Sequence, residues 1–89
     1  MTEIVLDASS WQNTIDFYNA YCLATEAPKW FGRNLDAFRD SLRGGICKIT
    51  PEKIRVQYMT KRVKERVGSE FMKSVEEICQ EEDVGFVYE

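Results

Sequence analysis

The chain contains no histidine, and this absence excludes more chemistry than any other feature of its composition. Serine and cysteine nucleophiles that depend on an imidazole base are ruled out. So are histidine-ligated zinc, the helical zinc-protease motif and RNA cleavage with an imidazole as acid or base. Cysteine is sparse: Cys22, Cys47 and Cys79, with no C-x-x-C pair. Three thiols cannot pair fully, and their spacing does not suit a metal knuckle, so they are expected to be reduced and mostly buried small apolar residues. No apolar run approaches the roughly 20 residues of a membrane span. The opening Met1-Thr2-Glu3-Ile4-Val5-Leu6-Asp7 lacks a basic leader followed by a long apolar run, so a signal peptide is not expected and a cytoplasmic location is the default.

What is present fits one small folded unit. The 89 residues have a mass of 10.4 kDa, with 44% hydrophobic and 30% charged residues and a net charge of −3. Two independent cores do not fit in so short a chain, so residues 1–89 are read as a single domain.

The pattern along the chain predicts strand, helix, helix, strand, helix, helix, strand. Ile4-Val5-Leu6 is a short continuous apolar run, which suits a strand buried on both faces. Asp7, Ser9 and Ser10 are helix-start candidates, and Trp11, Ile15, Tyr18 and Cys22 recur at helical spacing beside Phe17 and Tyr21. They predict a helix from about Ser10 to Ala24. A loop with Pro28 and Gly32 follows, then Asn34 as N-cap and an apolar face of Leu35, Phe38 and Leu42, stopped by Gly44-Gly45. Ile54 to Tyr58 alternates as a strand does; Thr60 caps a short helix that Gly68 ends; Ser69 opens a helix whose core side is Phe71, Met72, Val75 and Ile78. Val84, Phe86 and Val87 form a last strand. Strands separated by helix pairs imply crossovers and therefore a small parallel sheet of three strands packed with about four helices, an α/β fold.

Charge is uneven. From Pro51 to Val67 six basic residues face two acidic ones, and from Gly68 to Glu89 seven acidic residues face one basic. The stretch Lys61-Arg62-Val63-Lys64-Glu65-Arg66 lacks interleaved aromatics. It is expected to be a solvated helix face, helped by attraction to the acidic last helix, and direct nucleic-acid binding is not expected.

Asp36 and Asp40 stand one turn apart on the exposed side of the short second helix, with Arg39 and Arg43 interleaved. On spacing alone such a pair serves solubility through its arginine neighbours, or acts as acid and base, or binds a metal. No third ligand, phosphate-binding loop, nucleophile or cofactor motif accompanies it, so neither a metal nor a cofactor is expected and an enzyme is the weakest reading.

The run Trp30-Phe31-Gly32-Arg33-Asn34-Leu35-Asp36-Ala37-Phe38-Arg39-Asp40-Ser41-Leu42 resembles the signature of the barstar family, intracellular inhibitors of secreted barnase-type ribonucleases. That signature runs aromatic, aromatic, Gly, variable, Asn-Leu-Asp-Ala, apolar, variable, Asp, with a leucine shortly before a glycine; Leu42 and Gly44 fill the last two places. Chain length and element order also look like the family. The resemblance implies a barstar-like domain that forms a one-to-one complex with a secreted or delivered ribonuclease and is a monomer when free. In such a complex carboxylates on a rigid helix take the place of RNA phosphate in a cation-lined cleft. Asp40 matches the family's central anion, Asp36 its companion, Trp30 the aromatic of the preceding loop and Gly44 a glycine at the interface edge. Glu77, or Glu76 one residue earlier, matches an acidic rim contact on the last helix. Arg39 and Arg43 share that surface and are counted with the partner-facing residues. On the bare sequence Trp30 also suits a core position, and Gly32 and Gly44 suit turn and cap positions.

Three residues depart from the type member. Arg39 stands at a tryptophan position, Arg33 at an acidic one and Gly45 at an aromatic one. From Lys29 to Arg43 four basic residues outnumber two acidic ones, which opposes an acidic mimic. Either the arginines pair with neighbours or the cognate enzyme has a mixed-charge surface; poor inhibition of barnase itself is expected. The competing reading is a module on the same scaffold that binds a basic partner other than a ribonuclease.

Overall fold

The structure, a computed structural model, describes residues 2–89. Its elements are β1 (Glu3–Asp7), α1 (Thr14–Thr25), α2 (Leu35–Leu42), β2 (Lys53–Gln57), α3 (Lys61–Val67), α4 (Ser69–Glu81) and β3 (Gly85–Tyr88). The order matches the sequence reading. The strands form one parallel sheet in the order β1-β2-β3, with Ile4 opposite Ile54 and Ile54 opposite Phe86.

Two details of the sequence reading are corrected. β1 is not buried on both faces: it is an edge strand in which Ile4 and Leu6 are buried while Val5 is 49% exposed. Ile4 and Leu6 of β1 share their buried face of the sheet with Ile54 and Val56 of β2. The opposite face is left open, and there Arg55 bonds Glu3 on β1 at 2.8 Å and reaches Glu89 at 3.5 Å. Cross-strand charge pairs of this kind suit a solvated sheet face.

The second correction concerns α1, which begins at Thr14 and not near Ser10. Asp7 turns its carboxylate onto the Ser9 N–H (2.9 Å), and the Trp11 N–H donates to the Ala8 carbonyl. Ser9 and Ser10 are thereby held in a turn. The cap is Asn13, whose Oδ1 accepts from the Asp16 N–H, while the Asp16 carboxylate accepts from the Gln12 N–H at 2.7 Å. Such reciprocal bonding satisfies donors that a helix start leaves free. The buried face is Phe17, Tyr18, Tyr21 and Thr25, with Ile15 exposed and Cys22 half-buried. Trp11 reaches the core from the loop, edge-on to Phe17.

The remaining caps fall where expected, whereas Tyr58 lies past the end of β2 and is exposed, Val84 precedes β3, and Phe71 is only half-buried. Thr60 caps α3, and Gly68, at φ +113°, separates α3 from α4. Met72, Val75, Ile78 and Cys79 carry the buried side of α4. The three cysteines are free thiols, Cys47 and Cys79 buried and Cys22 half-buried. Among the described residues no helix is long and apolar enough to cross a membrane.

Candidate functional site on the second helix and its flanking loops

The motif residues around α2 each have a local physical task. Asn34 Oδ1 accepts from the Ala37 N–H at 2.8 Å and so closes the first turn. A Cβ at Gly32 would lie 2.8 Å from Asn34 Nδ2 and 3.4 Å from the Ala37 Cβ, which is why the residue two before the cap carries no side chain. Phe31 turns into the core beside Tyr21. At the other end Gly44 and Gly45 take φ of +93° and +87°, where a side chain is strained. Gly44 thus has a conformational reason independent of any contact.

The inner face of α2 is pinned to α1. Phe38 is fully buried, edge-on to Tyr21 and Phe17. Ser41, buried below it, donates to the Phe38 carbonyl at 2.7 Å and receives the Tyr21 hydroxyl at 2.7 Å. Burial pushes the Tyr21 phenol far above its ordinary range. The sequence reading missed Ser41; its one signal is a polar residue three after Phe38 on the buried stripe.

The outer face carries the carboxylates. Asp36 is exposed in the first turn, where the helix dipole favours negative charge. Asp40, one turn on, keeps 60% of its side chain exposed. Trp30 is 74% exposed, so of the two roles open to it on the bare sequence the core role is excluded. A lone exposed tryptophan beside an acidic helix face is a feature of binding surfaces.

The arginines are held by distant carboxylates. Arg39 pairs with Glu81 at 3.2 Å, and Arg43 makes two parallel bonds to Glu82, Nε to Oε1 at 3.0 Å and Nη2 to Oε2 at 3.1 Å. The hydrogen bond from Arg43, with its charge, holds the Glu82 carboxyl below its ordinary range. Arg43 also stands 3.8 Å from Asp40. Arg33 turns toward α1, donating to Asn19 Oδ1 and the Phe31 carbonyl. The excess of positive charge counted along residues 29–43 therefore does not describe the surface, because Glu81 and Glu82 lie in the same patch. The attraction expected between the basic stretch of α3 and the acidic last helix comes down to one ion pair among the described residues, Lys64 with Glu76 at 3.8 Å.

Glu76 and Glu77 are separated by their neighbours. Glu76 accepts the Tyr88 hydroxyl at 2.7 Å beside Lys64, on the β3 side of α4. Glu77 is exposed, forms no ion pair among the described residues, and lies one turn before Glu81 on the face toward α2. No three Asp, Glu or Cys side chains of the described residues gather as metal ligands would. Two concavities, of about 420 and 360 Å³, are lined by residues of α4 and β3 and of β1 and α1, not by α2 or its loops.

The result is a small α/β domain whose second helix exposes Asp36 and Asp40, with Trp30 exposed in the loop before it. The chain is a member of the barstar family: the model described as "Barstar (barnase inhibitor)" matches residues 1–86. That family comprises inhibitors and not enzymes. No curated protein matches the chain significantly.

Proposed function

We propose that this protein inhibits a barnase-type ribonuclease by laying α2 and the loop before it across the enzyme's cationic cleft. The observation that carries the reading is the exposure of Asp36 and Asp40, one turn apart on a helix anchored by Phe38 and Ser41, while Arg39 and Arg43 are engaged by Glu81 and Glu82. RNA phosphates bind such a cleft through cations. Two carboxylates on a rigid support satisfy the same cations without offering a bond to cleave, and they steer encounter. Asp40 is the central anion and Asp36 its companion. Trp30 supplies apolar area, Glu77 a rim charge, and Gly44 lets the chain leave the interface tightly. Arg39 and Arg43 lie within the contact surface as its cationic part. The patch formed by Asp36, Asp40, Glu77, Glu81 and Glu82 with the two arginines stays acidic, which favours a basic protein over RNA as its occupant. The complex is one-to-one, the partner is secreted or delivered into the cell, and the inhibitor acts in the cytoplasm as a monomer, in the manner of an immunity protein.

The decisive experiment is co-expression with a barnase-type toxin. The chain should rescue growth, and Asp40→Lys should abolish rescue while leaving the melting temperature within a few degrees. Toxicity unchanged by the wild-type chain, across a panel of such nucleases, would reject the reading. The two arginines on the contact helix favour a second reading, a basic partner that is not a ribonuclease. A pull-down that recovers such a partner, with capture lost in Asp36→Lys, would decide for it.

A further inference from the structure

We propose that Glu82 is a positioning residue for the contact surface: by holding Arg43 it keeps the carboxylate of Asp40 free for a partner. The inference rests on the reading of Asp40 as the anion that enters the partner's cleft, and it assigns a task to a residue outside the family's motif.

The geometry is a competition for one guanidinium. Arg43 is the C-cap of α2, and its N–H donates to the Asp40 carbonyl at 3.1 Å, so the two residues sit on one fixed turn. Its side chain has two carboxylates within reach. Glu82 takes Nε and Nη2 in a two-point contact, and the remaining nitrogen, Nη1, faces Asp40 Oδ1 at 3.8 Å. Two-point arginine–carboxylate contacts are the stronger kind, and a charge-assisted bond weakens steeply with length. Glu82 is also the better-fixed partner. Its side chain is only 16% exposed, against 60% for Asp40, and its N–H is tied to the Ile78 carbonyl at 2.9 Å. With Glu82 in place the guanidinium stays on the α4 side, and Asp40 presents its charge outward. Without that carboxylate the nearest anion to Arg43 is Asp40, and residues three apart on a helix pair readily. A closed Asp40–Arg43 pair would offer a cationic cleft a neutral group.

The arrangement explains how a contact helix carries an arginine three residues after its central aspartate and still serves as an anion. One turn earlier Arg39 is likewise paired with a carboxylate from α4, Glu81, at 3.2 Å. The acidic end of α4 thus acts on Asp40 through the guanidinium of Arg43.

The test uses the full chain with Glu82→Gln, Arg43→Gln and the double variant, each checked for an unchanged circular dichroism spectrum and cooperative melt. The first measurement needs no partner: carbodiimide-driven amidation of Asp40, read by mass spectrometry relative to Asp36 on the same helix. Glu82→Gln should lower the Asp40-to-Asp36 ratio about twofold, the occupancy an added helical ion pair commands, and the double variant should restore it. The second measurement is affinity for the ribonuclease that the wild-type chain neutralises. Glu82→Gln should weaken binding several-fold with Arg43 present and by less than about twofold with Arg43→Gln as background, the mark of two coupled residues. An unchanged amidation ratio, or the same affinity loss in both backgrounds, overturns the proposal. Should the wild-type chain neutralise no ribonuclease, the functional reading fails, while the amidation ratio still decides whether Glu82 governs Asp40.

Discussion

The hydroxyls of Tyr21 on α1 and Ser41 on α2 meet at 2.7 Å, both side chains fully buried. This bond joins the aromatic core to the underside of the helix whose outer face carries Asp36 and Asp40.

Removing Ser41 strands the Tyr21 hydroxyl in the core, whereas removing the Tyr21 hydroxyl leaves Ser41 still donating to Phe38. Ser41→Ala should therefore cost about 1–3 kcal/mol and Tyr21→Phe about 0.5–1.5 kcal/mol. Urea denaturation at neutral pH gives both values. Equal losses, or a larger loss for Tyr21→Phe, would contradict the assigned direction of the bond.

Gly32 and Asn34 form a second coupled pair, since a Cβ at 32 would press on the capping amide. Asn34→Ala should cost about 1 kcal/mol, as the loss of an N-cap does. Gly32→Ala should cost a comparable amount by pushing the cap aside. The double variant should lose clearly less than the sum, because the cap can be lost only once. Full additivity in denaturant titrations would show that Gly32 serves some other purpose.

Affinity should rank the carboxylates. Asp40→Ala should weaken binding of the cognate ribonuclease by about 2 kcal/mol or more, a range to which complexes of this same family contributed. Glu77→Ala, on the rim, should cost about 0.5 kcal/mol, near the level of an exposed ion pair. Glu76→Ala should leave affinity unaltered, since that side chain serves Tyr88 and Lys64. The association rate should fall as salt rises. Isothermal titration and stopped-flow mixing supply these numbers, and an Asp40→Ala loss below about 0.5 kcal/mol would remove that residue from the centre of the contact.

Burial pushes the Cys79 thiol from 9.0 up to about 12. A raised folded-state value means that the folded chain keeps its proton at pH values where the unfolded chain has lost it. This contribution to stability is complete below pH 9 and is lost as pH climbs toward 12. Melting temperature should decline through that window, and Cys79→Ala, less stable at pH 7, should show a shallower decline. Parallel slopes for the two proteins would assign alkaline unfolding to other groups, Tyr18 among them, whose phenol burial also raises to about 12.

Much of the fold is legible in the chain because its signals are local. Asn34, Thr60, Gly44 and Gly68 mark helix boundaries through caps and left-handed turns, which depend on a few adjacent residues. The start of α1 is not legible for the same reason. Asp7, Ser9 and Ser10 are as able to close a turn as to cap a helix, and packing of Trp11 against Phe17 accompanies the turn. The faces of β1 are not legible either, because an apolar run does not reveal how many layers will cover it.

The order of elements, the buried stripe of α2 and two carboxylates one turn apart on its other side are written in the chain itself. These follow from helical periodicity and from capping chemistry within a dozen residues. The charge that surrounds those carboxylates depends on the packing of distant segments. Glu81 and Glu82 are some forty residues from Arg39 and Arg43 along the chain, yet the packing of α4 beside α2 brings them within 3.2 Å. Electrostatic interaction falls with distance in space and takes no account of separation along the chain. The charge of the surface therefore belongs to the folded molecule and not to the segment that names it.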